Sequence, residues 1–167
     1  MWPAIGRRAG LLLLLLALLS GQVAAGGKAV EMRPFVAGSL QQIVAAHAGK
    51  PFLLGFWSLD CVHCGDELAL LQRLHKDHPN LALVLVATDG EMDWSGLQAH
   101  LQAAGLGQTE QWVFADAMPE RLRQEIDRHW YGELPRTYLY GRDGRATAVS
   151  GVLSAKHLGP WLRQNPP

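Results

Sequence analysis

Cys61 and Cys64 are the only cysteines in the chain, and the spacing Cys61-Val62-His63-Cys64 lets their thiols close into a small disulfide ring or open to a dithiol. An apolar run, Phe52-Leu53-Leu54-Gly55-Phe56-Trp57, precedes the pair and a helical pattern follows it, which is the setting of a redox centre. A structural staple is the competing use, but so short a loop removes little entropy from the unfolded chain and stabilises little. At the start of a helix, unpaired backbone N–H groups and the helix dipole favour a thiolate. Cys61 therefore reads as the attacking sulfur, and Cys64, one turn further on, as the sulfur that resolves the mixed disulfide. His63 is the tuning residue. An imidazole beside the Cys61 sulfur favours the thiolate, stabilises the reduced form and makes the disulfide a stronger oxidant. Asp60 works the other way, because a neighbouring carboxylate raises a thiol pKa. Glu67 reads in two ways: as a base that takes the proton of Cys64, or as a first-turn acid that suits the helix dipole.

Other chemistries fit less well. Cys61, His63 and Cys64 can contribute to a zinc or copper(I) site, but a closed zinc site takes about four ligands and the sequence offers no second ligand cluster. No metal is expected, and the redox-active Cys61–Cys64 disulfide replaces any bound cofactor. Copper(I) carriage by the dithiol stays as an alternative. Gly65, not histidine, follows Cys64, so the pair is not a covalent haem site.

The elements that must position these residues follow from patterning. With 167 residues, 49% of them hydrophobic and 18% charged, the chain suits one globular domain of ordinary size. Arg7 and Arg8, the leucine-rich run from Leu11 to Leu19, and the small residues Val23-Ala24-Ala25 have the layout of a secretory signal peptide over residues 1–25, with Gly26 as the first mature residue. An uncleaved membrane anchor is the alternative, though the run is short of the ~20 residues a spanning helix needs. Without Arg7 and Arg8 the chain keeps 13 basic against 15 acidic side chains, and no basic patch argues for nucleic acid. Export, to the periplasm or beyond the cell, places the cysteines where a disulfide persists.

A linker over 26–34 leads into a domain over 35–167. A short strand is expected near Phe35, then a helix over Leu40–Ala48 capped by Ser39. The unbroken apolar run at Phe52–Trp57 predicts a central strand buried on both faces. A helix follows from Cys61 to His78, with Leu68, Leu71, Leu74 and His75 on one face. Leu81–Ala87 predicts a second buried strand, Asp93–Ala104 a helix, Trp112–Phe114 a strand, and Pro119–Tyr131 a helix bearing Leu122, Ile126 and Trp130. Thr137–Tyr140 and Ala146–Ser150 flank the hairpin signal Gly141-Arg142-Asp143-Gly144, and Ser154–Arg163 closes the chain as a helix. Thr137 reads as a strand residue rather than a contact. The order predicts an α/β fold, a mixed sheet with helices on both faces.

Phe56-Trp57-Ser58-Leu59-Asp60-Cys61-Val62-His63-Cys64 resembles the active-site strand and loop of thioredoxin. Leu134-Pro135-Arg136-Thr137-Tyr138-Leu139-Tyr140 resembles that fold's cis-proline segment. The strand and helix between them resemble the insertion of the TlpA/ResA branch of exported thiol-disulfide oxidoreductases, and Glu67 fits that branch's C-x-x-C-x-x-E. The resemblance implies a thioredoxin-like fold with this insertion, a substrate groove shaped by Leu134 and Pro135, and reduction of disulfides in exported proteins. Its candidate partners are apocytochrome c or copper-site proteins, as in cytochrome c biogenesis, and a membrane or periplasmic electron-transfer protein. Three positions depart from the pattern: His63 stands where the branch often has proline, Gly55 where classical thioredoxins carry a buried aspartate, and Glu133 where the family has glycine. By resemblance, histidine at position 63 is typical of the more oxidising members. An oxidising disulfide donor tuned by His63, and a copper(I) carrier or adaptor on the same fold, are therefore the alternatives to the reductase.

Overall fold

A computed structural model describes residues 31–90 and 94–166 of the chain. The signal-peptide and cleavage-site readings, and the linker as far as residue 30, lie outside the described residues. The elements run β1 (Arg33–Phe35), α1 (Ser39–Ala46), β2 (Phe52–Trp57), α2 (Cys64–Asp77), β3 (Ala82–Ala87), α3 (Trp94–Ala103), β4 (Glu110–Phe114), α4 (Pro119–Ile126), β5 (Arg136–Tyr140), β6 (Ala146–Ser150) and α5 (Ala155–Gln164). The strands form one mixed sheet of six in the order β1-β4-β3-β2-β5-β6. The first four neighbours are parallel, while β5 runs antiparallel to β2 and β6 antiparallel to β5. The inserted pair, α3 and β4, is seen as expected, with β4 lying between β1 and β3.

Strand β2 is buried along its whole length, because side chains alternate between two separately covered faces. Leu53 and Trp57 belong to one cluster, with Leu68 and Leu71 of α2, Leu97 and Leu101 of α3, and Leu158 and Trp161 of α5. Phe52, Leu54 and Phe56 belong to the other, with Ile43 of α1 and Leu122 of α4. Each fully buried leucine or phenylalanine contributes about 1.5–3 kcal/mol of transfer free energy, so β2 is the mechanical centre of the molecule. The disulfide hangs from its carboxyl end.

Several local expectations shift. Met32 is buried and β1 opens at Arg33, so the folded unit reaches into the stretch read as linker. Gly38, at φ 85°, takes the cap position of α1, a left-handed conformation that suits glycine. Ser39 is instead the first helical residue, and its hydroxyl accepts the Val36 N–H at 2.9 Å. The helix read from Cys61 begins at Cys64, after a turn closed by Cys64 N–H to the Cys61 carbonyl at 3.2 Å. The helix read as far as Tyr131 stops at Ile126, because the Asp127 carboxylate turns to accept the His129 N–H at 2.9 Å. Trp130 thus leaves the helix, yet its ring still reaches Phe56, with centroids 4.8 Å apart.

Candidate active site

Cys61 and Cys64 are joined as a disulfide, with Cα atoms 5.4 Å apart. Cys61 is partly exposed on the loop between β2 and α2, whereas Cys64, the first residue of α2, is buried at 1% exposure. The two sulfurs are thus unequal: one faces solvent at a helix entrance and the other faces the core. His63 and Asp60 are both exposed on the same loop.

The loop is held from the side by a residue that sequence reading missed. Asp89, just beyond β3, accepts the Ser58 hydroxyl and the Leu59 N–H on one oxygen, each at 2.9 Å. The Ser58 hydroxyl in turn accepts the Asp60 N–H at 3.2 Å. Thr88 donates its N–H to the Trp57 carbonyl at 2.9 Å, tying the same two segments together. A lone aspartate at the end of an apolar strand, beside the strand that delivers the cysteines, is the signal that marks it.

Glu67 lies inside the protein at 2% exposure, one turn along α2 from Cys64. One carboxylate oxygen accepts the Thr137 hydroxyl at 2.8 Å, and the other accepts the Leu153 N–H at 2.8 Å. Burial pushes its pKa above the ordinary carboxylate value, and the two hydrogen bonds only partly offset this. Glu67 is thus an acid in the first turn of α2, but a buried one, and Thr137, read as a plain strand residue, is its contact. Thr137 stands opposite Gly55 in the β2–β5 ladder. A Cβ on Gly55 would meet Leu85 at 3.3 Å and Thr137 at 3.9 Å, so the bare backbone there leaves room for the packing around the Glu67–Thr137 pair.

Just before β5, the Leu134–Pro135 peptide bond is cis. Pro135 is buried and its carbonyl accepts the Gly151 N–H at 2.8 Å, while Leu134 and Cys61 pack against the same core cluster. The segment leading into it is fastened by Arg136, buried at 8% exposure. The guanidinium pairs with Asp127 at 2.6 Å and with Glu133 at 3.3 Å, donates to the Ser150 hydroxyl, and lies over the Tyr138 ring. Glu133 also accepts the Tyr131 N–H at 3.1 Å, and its carbonyl accepts the Trp130 indole N–H at 2.9 Å. Asp127 is held below the usual carboxylate range, first by the His129 N–H and then by Arg136. Burial pushes the Tyr138 phenol up to about 12, so it stays protonated and donates to Asp127 at 3.3 Å. This cluster, too, was missed from sequence, although an arginine in an otherwise apolar strand demands carboxylate partners.

The structure thus sets Cys64 and Glu67 on α2, with Glu67 bonded to Thr137 of β5, and Leu134 and Pro135 immediately before that strand. His63 stands outside, at the surface. No protein-family model matches the chain, and no curated protein matches it significantly. Solved structures do. A secreted disulfide oxidoreductase of Mycobacterium tuberculosis, described as homologous to DsbE of E. coli, is 23% identical over 71% of this chain and 84% of its own, with a TM-score of 0.56. A thiol:disulfide interchange protein of the thioredoxin family from Chlorobium tepidum is 16% identical over 72% and 83%, with a TM-score of 0.56. StoA from Bacillus subtilis is 24% identical over 68% and 83%, with a TM-score of 0.50. At these identities the likeness speaks for architecture: the chain has the thioredoxin-like fold.

Proposed function

We propose that the chain is a thiol-disulfide oxidoreductase that reduces disulfides of exported proteins through Cys61 and Cys64. The observation that carries this reading is the asymmetric pair itself, a partly exposed Cys61 and a buried Cys64 at the start of α2, with the buried carboxylate of Glu67 one turn behind. The solved structures of similar fold whose descriptions name disulfide oxidoreductase or interchange proteins support it.

The reaction starts from the dithiol. The Cys61 thiolate attacks one sulfur of the substrate disulfide and expels the other as a thiolate, which takes up a proton. Cys64 then loses its proton to the Glu67 carboxylate and attacks Cys61. The substrate's second sulfur leaves as a thiolate, and Glu67 returns the proton to it or to solvent. Two electrons pass to the substrate and the enzyme ends as the Cys61–Cys64 disulfide. A membrane or periplasmic dithiol donor restores it. Leu134 and Pro135 line the approach, and His63 adjusts how strongly the thiolate of Cys61 is favoured.

Two measurements test this. Wild-type protein should reduce insulin disulfides with dithiothreitol as donor, and Cys61→Ser should abolish turnover. Cys64→Ser should trap a mixed disulfide; failure to trap it would reverse the assigned roles. A redox titration then sets the direction. A midpoint near thioredoxin's, about −270 mV, agrees with a reductase, and one near DsbA's, about −120 mV, makes the protein an oxidising donor tuned by His63.

A further inference from the structure

The turn that delivers Cys61 is gripped by a carboxylate from the neighbouring strand. Residues 58–61 form this turn, closed by the Cys61 N–H to the Ser58 carbonyl at 3.4 Å. Asp89, half-buried just beyond β3, holds the first two residues of the turn on a single oxygen. That oxygen accepts the Ser58 hydroxyl and the Leu59 N–H, each at 2.9 Å. Ser58 passes the hold on, because its hydroxyl accepts the Asp60 N–H at 3.2 Å. Two successive amides before Cys61 are thus fixed, one directly and one through Ser58, by one side chain. The bond from the Thr88 N–H to the Trp57 carbonyl fixes only the end of β2, ahead of the turn.

The other oxygen of Asp89 is buried and accepts no hydrogen bond. Among the described residues no cation pairs with this side chain. A charge so placed is neither neutralised by a partner nor well screened by water. A turn of this kind keeps its ends within about 7 Å, which sets the carboxylate on the order of 10 Å from the Cys61 sulfur. At that range one unit charge still acts on another across a partly buried path. Reduction creates such a charge. The disulfide takes up two electrons and one proton to give a Cys61 thiolate and a Cys64 thiol. A nearby anion penalises that thiolate and leaves the disulfide untouched.

We infer that Asp89 is a positioning residue of the redox centre: it fixes the turn before Cys61 and, through its charge, holds the Cys61–Cys64 pair toward the disulfide, against the pull of His63. The inference rests on the oxidoreductase reading and adds to it a residue that makes the dithiol a stronger reductant. Asp60 stands next to Cys61 in sequence, but it is exposed and its field is screened. The carboxylate further along the chain, with one oxygen sealed from water, is the one that sets the balance.

The test equilibrates the protein with reduced and oxidised glutathione near neutral pH and reads the ratio of dithiol to disulfide. Asp89→Asn keeps an oxygen to accept from Ser58 and Leu59 but removes the charge. Its equilibrium should move about fivefold toward the dithiol, about 20 mV at ~30 mV per tenfold. The ultraviolet absorbance of the Cys61 thiolate should appear at lower pH than in wild type. Asp60→Asn should move the equilibrium by about twofold at most. Asp89→Ala removes the acceptor as well. It should show the same shift, and amide hydrogen exchange at Leu59 and Asp60 should become fast, while it stays slow in wild type and in Asp89→Asn. An equilibrium unmoved in Asp89→Asn, or moved as far in Asp60→Asn, would overturn the electrostatic role. Unchanged amide protection in Asp89→Ala would overturn the positioning. The asparagine variant keeps the turn bonded, so the redox result does not depend on how well the alanine variant folds. Wild-type protein that equilibrates with glutathione yet reduces no protein disulfide would overturn the oxidoreductase reading instead, a result distinct from the others.

Discussion

Arg136 and Thr137 are neighbours on β5 that point to opposite faces of the sheet, and each holds carboxylates. On one face Glu67 meets only neutral donors, the Thr137 hydroxyl and the Leu153 N–H, and its pKa rises because burial outweighs them. On the other face Asp127 meets the Arg136 guanidinium in addition to the His129 N–H, and its pKa falls. Glu133 falls too: burial pushes it up, but the Ser150 hydroxyl, the backbone N–H groups of Glu133 and Tyr131 and, least of these, Arg136 together outweigh that push. The difference is how deeply each carboxylate is buried and how many donors it meets: Glu67 is buried with two neutral donors, whereas Asp127 and Glu133 meet backbone or hydroxyl donors first and Arg136 in addition. In the proposed reaction Glu67 is the carboxylate that takes and releases a proton next to the redox pair. Asp127 and Glu133, with lowered pKa values, pair with Arg136 as anions and fasten the segment entering Pro135.

The largest effect should come from removing the cation. Arg136→Met takes the shared cation from Asp127 and Glu133, and breaking a largely buried pair costs about 3 kcal/mol. Urea denaturation reads this directly. A loss below about 1 kcal/mol would mean that the cluster is ordinary surface electrostatics and that Arg136 does little to set the two faces apart.

On the opposite face, Glu67→Gln should act on rate rather than on stability. The amide can still accept the Leu153 N–H and donate to Thr137, and it carries no buried charge, so the variant should be at least as stable as wild type near neutral pH. Turnover should nevertheless fall about a hundredfold, the usual scale for loss of a general base. Trapped mixed disulfide should accumulate, because the slowed step is the attack by Cys64. Unchanged turnover would leave Glu67 with a structural role only.

The smallest and most diagnostic difference lies in the pH dependence of stability. Glu67 binds its proton more tightly in the folded protein, so its contribution is fully present below the unfolded value of 4.5 and is lost as pH rises through the raised folded pKa. Asp127 behaves oppositely: its contribution is present above the unfolded value of 3.8 and is lost as pH falls through the lowered folded pKa. Denaturation measured across pH should show Glu67→Gln flattening the decline above 4.5, and Asp127→Asn flattening the acid limb below 3.8. The same variant altering both limbs would show that the two faces are coupled.

The residues behind this contrast differ in how visible they are from sequence. Phe52–Trp57 announces a central strand, because burial on both faces leaves a local apolar run. The hairpin at Gly141–Gly144 is equally plain, with Gly144 at φ 75° and Tyr140 paired with Ala146. By contrast, the end of α4 was misplaced. Leu122, Ile126 and Trp130 keep a helical period, but Asp127 is drawn out of the helix by the His129 N–H and by Arg136. Asp89 and Arg136 escaped notice because their partners come from other strands and loops. The reach from Glu67 to Thr137 and to Leu153 spans 70 and 86 positions.

The chain alone determined the redox pair, its place after a buried strand, and the alternation of strands and helices that encloses it. These depend on spacing and period, which are local and survive in a string of letters. Tertiary structure decided that Cys64 and Glu67 are buried while Cys61 and His63 are not. It also decided that Glu67 lacks a cation and that Asp127 has one. Burial and ionisation depend on segments brought together from across the chain, and only the packed sheet supplies those neighbours.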